Sequence, residues 1–399
     1  MNIRESSEEA AFREKVRRWI AERVPPHLKG AFHGGSPTAQ LSMEAMAPLR
    51  RLLAAEGWLV PDLPTEYGGA GLPPMQTIIL NEEFMRAGVP YLEARGGGIG
   101  NITQVLARYA TEEQKQRFLV PTLKGEIFWC QGYSEPGSGS DLASLQLRAE
   151  PVGDGFVLNG QKIWTSRAHY ADCIFLLART DPNAKRKQEG ISFFVLSMKT
   201  PGIEVRPLTT IDGRHYFNET FFTDVRVPAD GLIGRLNQGW TVAKSLLVHE
   251  RLGSAGANPL MLERALDNLK QAARTTPQGD GVVWDDAELR ERVAAMEMAN
   301  DCMRYTRYRA LTKLARGEQP GDETQIFKFF GSELYQKILE THQEVLGPLG
   351  VTWGPEPFGR DIGEVAVSNA INRARTIAGG TAEVQRNVIA KRVLRLPGS

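Results

Sequence analysis

Between Gln131 and Leu142 the chain reads Gln-Gly-Tyr-Ser-Glu-Pro-Gly-Ser-Gly-Ser-Asp-Leu, a run of hydroxyls, small residues and turn formers. Downstream, Asn159-Gly160-Gln161-Lys162-Ile163-Trp164-Thr165-Ser166 sets an indole beside further hydroxyls. Exposed backbone N–H groups and serine hydroxyls suit polar edges and phosphates, and a tryptophan face suits a planar ring system. Each piece alone reads better as an ordinary Gly/Ser/Pro turn or a core tryptophan than as a cofactor site. A third candidate is Glu250-Arg251, an acid on the apolar segment Ser245–Gly253. Adjacent residues on a helix do not face each other, so the two are not simply a salt bridge. By itself Glu250 reads as a solvated or structurally paired carboxylate.

Other chemistries lack their residues. A dinucleotide site of the Gly-x-Gly-x-x-Gly kind needs a third glycine that neither Gly98-Ile99-Gly100 nor Gly137-Ser138-Gly139 supplies. The 6 histidines show no ligand spacing, so no metal is expected. The 3 cysteines, Cys130, Cys173 and Cys302, are odd in number and widely spaced, which suits a reducing compartment. With 48 basic and 47 acidic residues the net charge is +1, which argues against nucleic acid or an electrostatic membrane partner. No apolar run approaches the roughly 18 residues of a membrane span. The segment after Met1 has no apolar stretch behind its basic residue, so a cytoplasmic setting is expected.

The elements that must position these candidates fall into three stretches. Ser6 and Glu9 form a capping box ahead of an apolar stripe, Phe12, Val16, Trp19 and Ile20, that Pro25-Pro26 ends. Further helices are expected over Ser42–Glu56, Ile78–Ala87 and Thr111–Leu119, with a breaker-rich loop at Leu63–Gly71. From Glu126 to Val227 the texture turns to β. Asn159-Gly160 between apolar runs predicts a hairpin with a type I′ turn. Strands are expected over Ile174–Ala178, Ile191–Leu196, Ile203–Arg206 and Thr220–Val227, while Lys185-Arg186-Lys187 reads as a solvated loop. After Gly239 long helices return. Leu289, Val293, Met296, Met303 and Ala310 form one core stripe, and Ile326, Phe330, Leu334, Ile338, Thr341 and Val345 another. Segregated runs of helices, strands and helices favour separate layers over an alternating parallel sheet.

Taken together, the two opening segments resemble the acyl-CoA dehydrogenase family, whose signature is a Thr/Ser-Glu-Pro-x-x-Gly-Ser-Asp loop followed by an Asn-Gly-x-Lys-x-Trp strand. Pro64 with Tyr67-Gly68-Gly69, Ala110–Lys115, Phe221–Pro228, Gly239-Trp240 and Gly380–Asn387 extend the resemblance along nearly the whole chain. It implies a mainly α protein with a central β-domain: an N-terminal helical domain (residues 1–125), a β-barrel-like domain (126–238) and a C-terminal four-helix bundle (239–399). It also implies non-covalent FAD between the β-domain and the bundle, an acyl-CoA substrate, an electron-transferring flavoprotein as acceptor, and a homo-oligomer, tetramer or dimer. By position, Gln131, Tyr133, Ser134, Gly139 and Ser140 lie along flavin and thioester, Trp164 and Ser166 flank the isoalloxazine ring, and Thr381 and Glu383 contact FAD. Ser140, His249, Arg251 and Gly380 fall on the substrate side. The family's Arg-x-x-Phe-Gly segment, which reaches a neighbouring subunit's FAD, is not recognisable in Ala273–Val283.

The reaction that the resemblance implies needs a carboxylate to remove an α-proton, a polarised thioester carbonyl and a hydride acceptor facing the β-carbon. Many members place the base immediately before the tail Gly-Thr, where this chain has Gly379. A glycine cannot take a proton. A second group of members, isovaleryl- and long-chain-type, carries its Glu just before an Arg on another helix, and Glu250-Arg251 matches that pair. Gly379 keeps the main-chain N–H that polarises the carbonyl, and its missing side chain leaves room for branched, bulky or cyclic acyl groups. A flavin oxidase or monooxygenase on the same fold, or a non-catalytic subunit of a heteromer, are the alternatives. The retained loop and Glu250 rank the non-catalytic subunit lowest, and oxygen consumption without an acceptor protein would separate an oxidase or monooxygenase from the dehydrogenase.

Overall fold

The computed structural model describes residues 5–30, 43–95, 98–253, 258–316, 318, 325–354 and 357–397; within these, the side chains at 43, 247–253, 314–315, 325 and 360–361 lie outside the description. The first helices are α1 (Ser7–Arg23), α2 (Met43–Ala55), α3 (Pro74–Arg86), α4 (Tyr91–Arg95), α5 (Ile99–Tyr109), α6 (Glu112–Gln114) and α7 (Val120–Leu123). Strands β1 (Trp129–Gly132), β2 (Arg148–Val152), β3 (Gly155–Lys162), β4 (Cys173–Arg179), β5 (Ile191–Ser197), β6 (Ile203–Leu208) and β7 (Phe217–Pro228) follow. Then come α8 (Gly239–Gly253), α9 (Pro259–Thr275), the small hairpin β8 (Pro277–Gln278) and β9 (Gly281–Val282), α10 (Ala287–Ala315), α11 (Gln325–Val345), α12 (Arg360–Asn372) and α13 (Ala382–Val388). Helical segments thus precede and follow a central curled sheet. No helix among the described residues is long and apolar enough to cross a membrane.

Two compact units emerge, one of Met1–Gln40, Pro73–Pro90 and Ser254–Ser399, the other of Leu41–Leu72 and Tyr91–Gly253. In the first, the Ser6–Glu9 capping box forms as expected, with both reciprocal hydrogen bonds, and turns Val16, Trp19 and Ile20 inward. Its core joins Leu262, Leu266 and Leu269 of α9 to Leu289, Val293, Met296 and Met303 of α10 and to Leu334, Ile338 and Val345 of α11. Phe330 leaves the expected stripe, with 37% of its surface exposed.

The second unit holds the sheet, ordered β1-β4-β2-β3-β7-β6 with β5 beside β4. Six consecutive buried residues on each of β4 and β5 explain their unbroken apolar runs, because both faces are covered. Helices α5 and α8 pack in this unit, α8 against α5 and β5.

One expected turn is corrected. Asn159-Gly160 is not a hairpin tip, because β3 runs straight through it from Gly155 to Lys162. The reversal is one turn earlier, at Gly153-Asp154 between β2 and β3, with Gly153 at φ +61. Arg148–Val152 carries little apolar signal, with only Ala149 buried, so β2 is silent in the sequence. At Asn159-Gly160 there is a bulge instead, where the register with β7 shifts between Leu158 and Gly160. Asn159 and Asp224 close it, Asp224 N–H donating to Asn159 Oδ1 at 2.8 Å. A Cβ on Gly160 would stand 3.0 Å from Leu147 Cα, so only glycine lets the two backbones approach.

Candidate functional site

The Gln131–Leu142 segment begins as strand β1 and leaves the sheet as a loop. Gln131 is half-buried opposite Phe175 of β4. Tyr133 is buried edge-on to Phe175 and Phe193, with ring centroids 6.0 and 6.5 Å away. Ser134 accepts through its carbonyl from Ile163 N–H at 2.9 Å, which ties the loop directly to the end of β3. Gly137, Gly139 and Ser140 lie at the exposed edge, and a Cβ on either glycine would meet nothing within 4 Å.

Beneath that edge the loop closes on itself. Glu135, buried, accepts from Gln146 N–H and Leu147 N–H at 2.5 and 2.9 Å. Its Oε1 also takes the Lys162 ammonium at 2.8 Å, and Lys162 reaches Tyr133 O at 3.2 Å. Lys162 has no exposed surface, and burial pushes its pKa down to about 8 against the opposing pull of Glu135. Arg179 donates to Ala143 O and Leu145 O, and Ser138 Oγ to Asp141 O. Glu135, Lys162 and Arg179 were assigned no role from sequence. Their signal was an acid and a lysine standing inside segments of small or apolar residues.

Past Lys162 the chain makes a constrained turn. Trp164 and Arg167 are left-handed, φ 59 and 58, a region bulky side chains avoid at a cost of about 1–2 kcal/mol each. Three contacts hold the strain: Thr165 N–H to Asn218 O at 2.9 Å, Asn218 Nδ2 to Thr165 O at 2.9 Å, and Arg167 N–H to Tyr216 O at 2.8 Å. The result is an indole 56% exposed, braced edge-on by Phe217 at 5.6 Å, with Ser166 half-buried two residues on. Gln131, Tyr133, Ser134, Gly139, Ser140, Trp164 and Ser166 are thus gathered on one unit, through the Ser134–Ile163 link.

The tail candidates belong to the other unit. Gly379 and Gly380 are both left-handed, φ 66 and 91, immediately ahead of α13. Thr381 caps that helix, its hydroxyl accepting from Val384 N–H at 3.2 Å. The Glu383 carboxyl is held below the usual range by its own backbone N–H and by the Thr381 hydroxyl, as befits an acid in a first turn. Lys328 donates to Gly380 O at 2.5 Å. Among the described residues no group accepts from the Gly379 or Gly380 N–H. His249, Glu250 and Arg251 fall in the last turns of α8, and their side chains lie outside the described residues.

On the sheet-bearing unit, an exposed indole followed by Thr165 and Ser166, and a loop edge with open space at its glycines, suit a planar, phosphate-bearing cofactor; on the other unit, the Gly379 and Gly380 N–H groups, without an acceptor among the described residues, suit a ligand carbonyl. Comparison with known proteins gives the same family in three consecutive matches. The acyl-CoA dehydrogenase N-terminal, middle and C-terminal domain models match residues 6–126, 130–225 and 237–394. Acyl-CoA dehydrogenase IpdE1 of Mycobacterium tuberculosis is 36% identical over 389 residues, covering 97% of each chain. Among solved structures, the Tcur3481-Tcur3483 steroid ACAD and the ChsE4-ChsE5 complex of Mycobacterium tuberculosis each superpose with a TM-score of 0.83 at 29% identity, covering 100% of both chains. The chain is an oxidoreductase of the FAD-dependent acyl-CoA dehydrogenase family.

Proposed function

We propose that the protein dehydrogenates an acyl-CoA thioester between its α- and β-carbons to the trans-2-enoyl-CoA, with Glu250 removing the α-proton. FAD, when bound, supplies the hydride acceptor at flavin N5. Gln131, Tyr133, Ser134, Gly139, Ser140, Trp164 and Ser166 would hold it from the sheet-bearing unit, and Thr381 and Glu383 from the tail. Gly379 N–H donates to the thioester carbonyl and stabilises the charge that develops on its oxygen as the proton leaves. Ser140, His249, Arg251 and Gly380 bind the acyl-CoA.

The observation that carries this reading is Gly379 itself: a left-handed residue without a side chain, whose N–H finds no acceptor among the described residues. It supports a position that keeps a carbonyl-polarising donor while the base comes from elsewhere. The steroid ACAD named above supports a bulky or cyclic acyl group as substrate. Electrons pass on to an electron-transferring flavoprotein, in a cytoplasmic homo-oligomer; native mass spectrometry would instead reveal a second, related chain if the assembly is mixed, as the name of the ChsE4-ChsE5 complex suggests for that protein.

Anaerobic mixing of the FAD-loaded protein with straight medium-chain, α-branched and cyclic acyl-CoAs tests the reading. Branched or cyclic substrates are expected to bleach the flavin absorbance. Glu250→Gln is expected to bind FAD and to bleach about 10³-fold more slowly, the usual worth of a positioned base. Wild-type bleaching by that variant would refute the base, and bleaching by straight short chains alone would refute the wide pocket.

A further inference from the structure

The residue after Ser166 carries a charge that no carboxylate among the described residues answers. Arg167 is 7% exposed, and its Nε is buried without a hydrogen-bond acceptor. Among the described residues no carboxylate pairs with it; the guanidinium lies over the Tyr216 ring, 5.3 Å from the centroid. A second buried guanidinium adds to the positive field: Arg50 of α2, which donates Nε–H to Ala94 O at 2.9 Å and stacks on Phe128. Burial, then the Arg167 charge, lower the Arg50 pKa against the pull of Asp172. His169, near the same group, is also pushed below its usual range, first by burial.

Burying an ion costs several kcal/mol unless an opposite charge accompanies it. The backbone adds to the cost, since Arg167 is held left-handed by Tyr216 O. A residue kept in such a state at two separate costs calls for an anion that arrives with a ligand. Along Trp164–Arg167 exposure alternates: the indole is exposed, Thr165 buried, Ser166 intermediate and Arg167 buried. Arg167 is therefore on the inner side of the turn whose outer side carries Trp164.

We infer that Arg167 is an electrostatic positioning residue for the flavin, favouring its two-electron-reduced form. This rests on the reading that Trp164 and Ser166 flank the isoalloxazine ring. In the reaction the Cα–H proton goes to Glu250, its electron pair forms the new C=C bond, and the β-hydride brings two electrons and one proton to the cofactor. The cofactor thereby gains one negative charge. A fixed cation in a poorly solvated place stabilises that charge without reorganising.

The test is the flavin midpoint potential of the FAD-loaded protein, measured by anaerobic equilibration with a reference dye. Arg167→Gln is expected to lower the ratio of reduced to oxidised flavin at fixed potential about tenfold, roughly 30 mV for a two-electron couple. Arg167→Lys, which keeps the charge, should recover most of it. An unchanged potential in FAD-loaded Arg167→Gln overturns the inference. Should that variant not fold, Tyr216→Leu removes the ring that fixes the guanidinium and is expected to lower the ratio about threefold; no change there overturns it equally. Trp164→Phe separates this outcome from failure of the site reading. An altered flavin spectrum in Trp164→Phe with an unmoved potential in Arg167→Gln sinks the inference alone, and an unaltered spectrum sinks the site reading.

Discussion

The two regions that carry the candidate residues are built by opposite means. On the sheet-bearing unit, the Ser134 loop and Trp164 turn are set by side chains: Glu135 gathers two backbone N–H groups and an ammonium, Arg179 gathers three carbonyls, those of Ala143, Leu145 and Lys187, and Asn218 pins Thr165. In the tail, Gly379 and Gly380 are set by the absence of side chains, held left-handed before the Thr381 cap. Beneath the loop of the first region, Glu135, Lys162 and Arg179 are satisfied before any ligand binds, whereas Arg167 Nε behind the Trp164 turn is not. The second offers N–H groups that have no acceptor among the described residues and are open to a ligand. Substitutions should therefore cost stability in the first region and selectivity in the second.

The largest expected effect follows from breaking the buried pair. Lys162→Met leaves the Glu135 carboxylate buried without its cation, a loss of about 3–5 kcal/mol. Pairing it with Glu135→Gln should restore a large part, because a neutral amide in place of the carboxylate needs no counter-charge. Urea denaturation of the two variants checks this, and equal stability would show that the loop is not held by the pair. The pH dependence gives a second reading. With Lys162 pushed down to about 8 from its usual 10.5, the unfolded chain binds more protons at this site between those values. Stability from this group therefore rises with pH across that window, and Lys162→Met should lack the rise.

These constructions were unequally legible. The helices and the apolar strands could be read because periodicity and caps are local: the Ser6–Glu9 box and the α10 stripe appear as written. Phe330 departs because a stripe does not say which of its members is covered. The Asn159-Gly160 pair forms a bulge and not a turn because the same residue types serve both, and the partner strand decides between them. Motif residues on the sheet-bearing unit could be named from the resemblance, yet the Glu135–Lys162 pair that holds them joins positions 27 residues apart. Sequence order conceals that kind of contact. The Arg167 guanidinium, unpaired with any carboxylate among the described residues, is concealed as well, since its state depends on which side chains surround it.

In the tail the expected loss is smaller and falls on substrate choice. Gly379→Ala puts a Cβ on a residue at φ 66, a cost of about 1–2 kcal/mol. The N–H remains, so straight-chain acyl-CoAs should still bleach the flavin. Branched or cyclic acyl-CoAs should lose about tenfold in kcat/KM relative to straight ones, the worth of one methyl group in a fitted pocket. Equal losses for both classes would mean that Gly379 serves the backbone turn and not the acyl group.

The smallest stability effect is expected on the sheet-bearing unit itself, at the one kind of position there that resembles the tail. Gly139 is exposed, its φ lies outside the left-handed region, and a Cβ would meet no atom of the chain. Gly160, on the same unit, is the opposite case, with Leu147 backbone 3.0 Å from where its Cβ would be. If glycine at 139 serves only the chain, Gly139→Ala changes nothing, because neither conformation nor packing requires it. If it serves close approach of FAD, stability of the cofactor-free protein should stay within about 0.5 kcal/mol, while the Kd for FAD rises about tenfold, or 1.4 kcal/mol. Titrating cofactor-free wild type and variant with FAD, beside urea denaturation of both, separates the two. Unchanged FAD affinity would move the cofactor's edge away from Gly139 and leave the loop's rigid interior as its contribution.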